Sequence, residues 1–308
     1  MSRPLRIYRS ASRVMAVLPE PVAVAVANSA AMAWFALDGT RRRLVAQHQQ
    51  RIAGGTLSPR QLHRATAKSF RSYGRYWASS LALPHRSTSY VNTRIRIEGR
   101  EHVEHALAAG KGAIFAMPHV GFWDHGGAWV GTNWKETITA EALEPPDLFQ
   151  WFCDMRARHG MHVEPPGPKA MVKLGAALGR NEVVGLLCER DIMGNGELLE
   201  FFGHPARVPL GPAVLSLRSG APLLPNAVFE MRGLRAFGKI LAPLEQPRSG
   251  NGLRADAIAL TNQLLRCFEA LIREHPEQWH VFQPYWEDER PTTVTSVEPA
   301  TSPPPAGT

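Results

Sequence analysis

The residues best suited to chemistry lie in one short stretch, "PHVGFWDHGG" (118–127), where His119 stands five positions before Asp124. Three arrangements of these side chains differ in chemistry. If a carboxylate holds the imidazole, it fixes the tautomer and stabilises the imidazolium, leaving the second ring nitrogen free to remove a proton. Together with His125 the pair could instead supply metal ligands, although no HExxH or CxxC spacing accompanies it. A third arrangement is a hydrogen bond that only braces a loop. Five helical residues turn through about 500°, so two helical side chains at this spacing would sit about 140° apart. His119 and Asp124 can meet if His119 lies in the loop, Asp124 lies in the first helical turn, and Gly121 lets the backbone between them fold tightly. No serine occupies a G-x-S-x-G context. The chemistry therefore points to a substrate hydroxyl losing its proton.

From residue 94 onward the pattern of the chain predicts elements that could position this pair. "TRIRIEG", "GAIFAMPH", "ETITAEAL" and "EVVGLLCERD" read as strands, with "PLLPNAVFEM" and "RAFGKILAPLE" following later. Between them "EHVEHALAAGK", "WDHGGAWVG", "PPDLFQWFCDMRARHG" and "PKAMVKLGAALGRN" read as helices, and a last helix over 254–274 places Ile258, Leu264, Leu265, Phe268, Leu271 and Ile272 on one face. Strands alternating with helices predict an α/β fold with a mostly parallel central sheet flanked by helices on both faces. Open parallel sheets bind ligands beyond the carboxyl ends of their strands. Two apolar runs end in polar clusters, one at His119 and one at Glu189, Arg190 and Asp191. If these runs are parallel neighbours, they deliver those residues and Asp124 to one rim.

Residues 1–85 read differently, as a helical and basic region. "SPRQLHRATAKSFRSYGRYWASSLAL" opens with Ser58 as N-cap and Pro59 at the first helical position. The apolar window 21–37 is close to the minimum length for a bilayer span, but Asn28 and Ser29 interrupt it, and it reads as a buried or interfacial helix. Flanking arginines (Arg3, Arg6, Arg9, Arg13 and Arg41 to Arg43) suit a segment lying on anionic lipid. The net charge of +8 points to anionic partners in general. Nucleic acid is not expected among them, because no RNP, KH or zinc-finger pattern is present. The three cysteines are odd in number and widely spaced, which argues against a disulfide framework and against a paired-cysteine zinc site. The opening twenty residues lack the long apolar run and cleavage site of a signal peptide. The Pro/Ser/Thr-rich stretch 290–308 has little to bury and reads as disordered.

"PHVGFWD" is the H-x4-D signature of the lysophospholipid acyltransferase superfamily. The run "ERDIMGNGELLEFFGHPARVPLGPAVLSLRSGAPLLPNAV" closely resembles the superfamily's lipid A lauroyl/myristoyl acyltransferase branch, with its Arg-Asp pair, FFG-x-PA block and P-x-GPA helix start in the same order. "SFRSYGRYW" and "HPEQWHVFQPYW" resemble the branch's early helical region and its C-terminal end, so the likeness covers about residues 5 to 288. Within the branch, "LPEPVA" and "RSYGRYW" are most similar to the actinobacterial phosphatidylinositol mannoside acyltransferases.

The resemblance implies a glycerol-phosphate acyltransferase-like α/β domain over 86–289 and a membrane-docking region over 1–85. It implies an O-acyltransferase that moves a fatty acyl chain from acyl-CoA or acyl carrier protein to a glycolipid hydroxyl. It places the enzyme peripherally on the cytoplasmic face of the cell membrane, with no metal or other cofactor. Carried over by residue, His119 is the general base and Asp124 its orienting partner. Arg190 would bind phosphate or the developing oxyanion, with Asp191 holding the loop. Glu141 would face the acceptor, Arg156 matches an R-x3-G element, and Glu189 joins the substrate rim. Either Glu197 or Glu200 corresponds to the acidic residue before FFG, and Arg207 would meet the thioester donor. A lysophospholipid or lipid A-type acceptor is an alternative, and a non-catalytic lipid-binding protein is an alternative of another class.

Overall fold

Seven short segments pair into one sheet whose inner strands include continuous apolar runs (AIFAM, VVGLL) and whose outer ones mix apolar with charged residues (IRIE, MHVE), and the intervening helices cover both faces. The computed structural model describes residues 1–165 and 167–290. In chain order the helical region holds α1 (Arg3–Val17), α2 (Glu20–Leu37), α3 (Gly39–Ile52) and α4 (Pro59–Ala82). The sheet region begins with α5 (Thr88–Arg94), β1 (Ile95–Glu98), α6 (Arg100–Ala108), β2 (Ala113–Met117), α7 (Trp123–Asn133) and β3 (Glu136–Thr139). It continues with α8 (Pro146–Ala157), β4 (Met161–Glu164), α9 (Pro168–Gly179), β5 (Val183–Leu187), β6 (Glu197–Phe201), β7 (His204–Val208) and α10 (Gly211–Ser219). It ends with β8 (Leu223–Met231), β9 (Arg235–Ile240) and α11 (Leu253–Glu274). The expectation of disorder beyond residue 290 lies outside the described residues.

The sheet order is β1-β9-β8-β2-β5-β3-β4. Every neighbouring pair is parallel except β8–β9. All five residues of β2 are buried, as a strand covered on both faces requires. Ala113, Phe115 and Met117 face a core shared with α4, α6 and α7, whereas Ile114 and Ala116 face one shared with α9, α10 and α11. The predicted strands appear as expected. Sequence reading missed β4 and the separate antiparallel hairpin β6–β7, whose two-residue turn places Phe202 and Gly203 both at positive φ. Phe202 is an unusual residue there, so turn chemistry gave no warning.

The N-terminal helices gather around α4. Its start is capped as the sequence implied, with Gln61 accepting a 2.9 Å hydrogen bond from the Ser58 amide. Along α2, Ala23, Ala27, Ala31 and Phe35 recur every four residues and are buried. They approach α4 so closely that a Cβ on Gly74 would come within 2.7 Å of the Ala27 carbonyl oxygen. The opposite face of α2 exposes Val22, Val26 and Leu37. This helix is long and apolar enough to cross a membrane by length and composition, with a mean hydropathy of 1.3. One face is therefore buried on α4 and the other lies open.

Candidate active site

Strand register brings the catalytic candidates together. β2 and β5 run parallel with Met117 opposite Leu187, so residues two positions past each strand end emerge level at the sheet's carboxyl rim. Those residues are His119 and Glu189. The Glu189 carboxylate is fully buried and accepts from His119 Nδ1 at 2.8 Å through Oε1 and at 3.0 Å through Oε2. It also accepts from the His119 amide at 2.8 Å. Burial raises the Glu189 carboxyl, but the charge and hydrogen bonds of His119 outweigh it and hold the group below its ordinary value. Two C-terminal aromatics complete the seat: Trp279 Nε1 lies 3.4 Å from Oε1, and the Tyr285 hydroxyl donates to the Glu189 carbonyl at 3.0 Å.

The His119 side chain is 13% exposed, and among the described residues nothing hydrogen-bonds its Nε2. That nitrogen is the one available to a ligand. Gly121 makes the tight path behind it possible: at φ 58° its amide donates to the Gln278 carbonyl, and a Cβ there would collide with the Val228 carbonyl.

Asp124 does not hold His119. It lies in the first turn of α7 and is buried toward α4. Its Oδ2 accepts from the Tyr76 hydroxyl at 2.7 Å and the Ser80 hydroxyl at 2.8 Å. Oδ1 accepts from Arg156 Nε at 3.2 Å and Nη2 at 3.0 Å. The carboxylate's acceptor sites are filled by these donors. Burial and the adjacent Asp124 charge push the Tyr76 hydroxyl well above its ordinary range, so it serves as a neutral donor. Burial alone would lower Arg156, but Asp124 reverses the shift and keeps the guanidinium charged. Between Asp124 and His119 stand two aromatic rings. The Tyr76 ring stacks on Trp123 at 3.8 Å, and Trp123 meets the His119 ring edge-on at 5.3 Å.

The remaining predicted residues divide into two groups. Arg190 and Asp191 follow Glu189 at the same rim, with Arg190 3.9 Å from Glu141. Asp191 accepts from the Asn195 amide at 3.2 Å. Arg156, expected at the substrate, instead partners Asp124, and Glu189 partners His119. Glu197, Glu200 and Arg207 sit on the β6–β7 hairpin. Glu197 pairs with Arg254 at 2.7 Å, Arg207 pairs with Glu287 at 3.3 Å, and Glu200 is exposed. None of their hydrogen bonds or ion pairs reaches His119. His125, the third atom source for a metal site, turns its Nε2 to the Val91 carbonyl at 3.1 Å. Among the described residues no group of three or more His, Cys, Asp or Glu side chains could hold a metal ion.

Sequence reasoning missed Tyr76, Ser80, Trp279 and Tyr285. Tyr76 and Ser80 are four apart in a helix and so share a face. That spacing was the available signal for a polar pair aimed at a buried partner.

A rim histidine held by a buried carboxylate, on a mostly parallel sheet with an apolar helical appendage, is a framework suited to removing a proton from a bound hydroxyl. The model of the bacterial lipid A biosynthesis acyltransferases matches residues 6–288, and the chain belongs to that family. It is similar to the phosphatidylinositol mannoside acyltransferase of Mycobacterium tuberculosis (strain ATCC 25618 / H37Rv), with 40% identity over 226 residues, which covers 71% of this chain and 69% of that protein. It is also similar to the protein of the same name from Mycolicibacterium smegmatis, with 33% identity over 286 residues, covering 91% of this chain and 90% of the relative. The family assignment makes the protein an acyltransferase.

Proposed function

We propose that the protein transfers a fatty acyl chain from an acyl thioester to a mannose hydroxyl of phosphatidylinositol mannoside, at the cytoplasmic face of the cell membrane. The acceptor hydroxyl sits against His119 Nε2, which takes its proton as the oxygen attacks the thioester carbonyl. Glu189 fixes the Nδ1–H tautomer and stabilises the imidazolium that forms. The tetrahedral oxyanion is met by backbone N–H groups or a basic side chain at the rim, for which Arg190 is the candidate. Collapse breaks the C–S bond, the thiolate takes the proton from the imidazolium, and the ester remains on the sugar. This step balances without a metal or redox cofactor.

The donor is acyl-CoA or acyl carrier protein, both of which present phosphopantetheine to a basic surface. The open apolar face of α2 and the arginines of α1 support docking on anionic lipid. One observation carries the reading: His119 Nδ1 is occupied by a buried carboxylate while Nε2 has no partner among the described residues. The names of the relatives support mannose as the acceptor. Incubation with labelled acyl-CoA and a membrane lipid extract, followed by mass spectrometry, tests it. Label in phosphatidylinositol mannoside is expected. Label confined to a lysophospholipid or a lipid A-type acceptor would replace the mannose assignment, and vesicle binding without any thioester consumption would favour a non-catalytic lipid-binding protein.

A further inference from the structure

The loop after β5 carries an exposed apolar pair that the catalytic account does not use. Ile192 and Met193 are 43% and 60% exposed, and neither belongs to a buried cluster. They are not on a slack segment. Asp191 accepts from the Asn195 amide and closes the base of the loop. Gly196 lies so close that a Cβ there would come within 2.9 Å of the Asp191 carboxyl carbon and of the Val208 amide nitrogen. The fold therefore holds two large apolar side chains out into solvent, three and four residues beyond Glu189.

Single exposed apolar residues are ordinary, but this pair lies at the same sheet end as other exposed apolar groups. Ser2 bonds Asp147 at 2.7 Å through both its amide and its hydroxyl, which ties the start of α1 to the start of α8, the helix entered from the carboxyl end of β3. Met1 and Ile7, 71% and 60% exposed, sit there with Arg3 and Arg6. Arg190, two residues before Ile192 in the chain, is 23% exposed and lies 3.9 Å from Glu141 at the same rim. Apolar side chains interleaved with arginines suit a surface of acyl chains beneath anionic headgroups.

We infer that the loop 191–196 is a second membrane-contact element, inserting Ile192 and Met193 into an anionic bilayer so that the rim bearing His119 faces the lipid acceptor. This rests on the acyltransferase reading for its purpose, though its test does not depend on that reading. Insertion takes the two side chains out of water, so Ile192→Ser with Met193→Ser should weaken partition onto phosphatidylinositol-containing vesicles by about ten- to a hundredfold. A fluorophore on Met193→Cys, with Cys153→Ser and Cys267→Ser to direct labelling, should shift to the blue on those vesicles and be quenched by lipids brominated on their acyl chains. In the double serine variant, transfer to an acceptor dispersed in detergent should match the parent, and transfer to the same acceptor in vesicles should fall. Unchanged partition with no spectral shift would overturn the inference. So would a shift with acyl carrier protein but not with vesicles, or an equal loss of transfer in detergent and vesicles. If the parent transfers no acyl group at all, the proposed function fails while the partition and quenching results still decide the loop.

Discussion

Replacing Glu189 with glutamine separates orientation of the imidazole from its charge. The amide keeps the shape of the carboxyl group, and its oxygen can still accept from the His119 backbone N–H, now 2.8 Å from Oε1. Its NH2 group then turns to Nδ1, which stabilises the tautomer with the proton on Nε2, the nitrogen needed as base. The imidazolium formed during transfer also loses its counter-charge at 2.8 Å. At an effective dielectric of about 20, that interaction is worth roughly 6 kcal/mol. Allowing about a third for the hydrogen bonding that the amide retains leaves about 4 kcal/mol, on the order of a thousandfold in kcat. Single-turnover transfer with a labelled thioester would measure it, beside thermal unfolding of both proteins. A Glu189→Gln enzyme that folds normally and works within tenfold of the parent would refute the reasoning.

Asp124→Asn should behave differently. It leaves the buried Arg156 charge without its carboxylate, so unfolding in urea should show a loss of about 3 to 5 kcal/mol. Glu136 is buried with no hydrogen-bond partner for either oxygen among the described residues, and burial raises its carboxyl well above its ordinary 4.5. Folding then favours the protonated form. The stability it allows is full below about pH 4.5 and declines as pH rises toward the folded-state value, by about 1.4 kcal/mol per pH unit. Glu136→Gln cannot ionise and should flatten that decline, so a variant that follows the parent at every pH would contradict the burial argument. Gly74→Val should force α2 off α4, lowering the unfolding midpoint by an overpacking cost of about 1 to 3 kcal/mol; an unchanged midpoint would show that the contact gives way freely.

Much of this arrangement is legible in the sequence, and the gaps have a common cause. Apolar runs of similar length ending at His119 and Glu189 revealed the rim, because strand ends are written in local pattern. The partner of His119 was not local. The H-x4-D spacing suggested a contact within one segment, whereas parallel register sets the contact with Glu189, 70 residues away. Asp124 found its partners 44 and 48 residues upstream, on a helix whose angle of approach no periodicity encodes. Trp279 and Tyr285 come from the far end of the chain for the same reason. The β6–β7 hairpin escaped because Phe202 takes a turn position that glycine or asparagine usually marks.

The central claim is that His119 Nε2 takes the proton of an acceptor hydroxyl as the thioester is cleaved. Acceptor-dependent release of free thiol from acyl-CoA, followed continuously with purified phosphatidylinositol mannoside, tests it most directly when the parent is compared with a folded His119→Ala variant. The account predicts steady thiol release from the parent only when acceptor is added, and a rate lower by about a hundred- to ten-thousandfold in the variant. Equal, acceptor-dependent release from both proteins would contradict it.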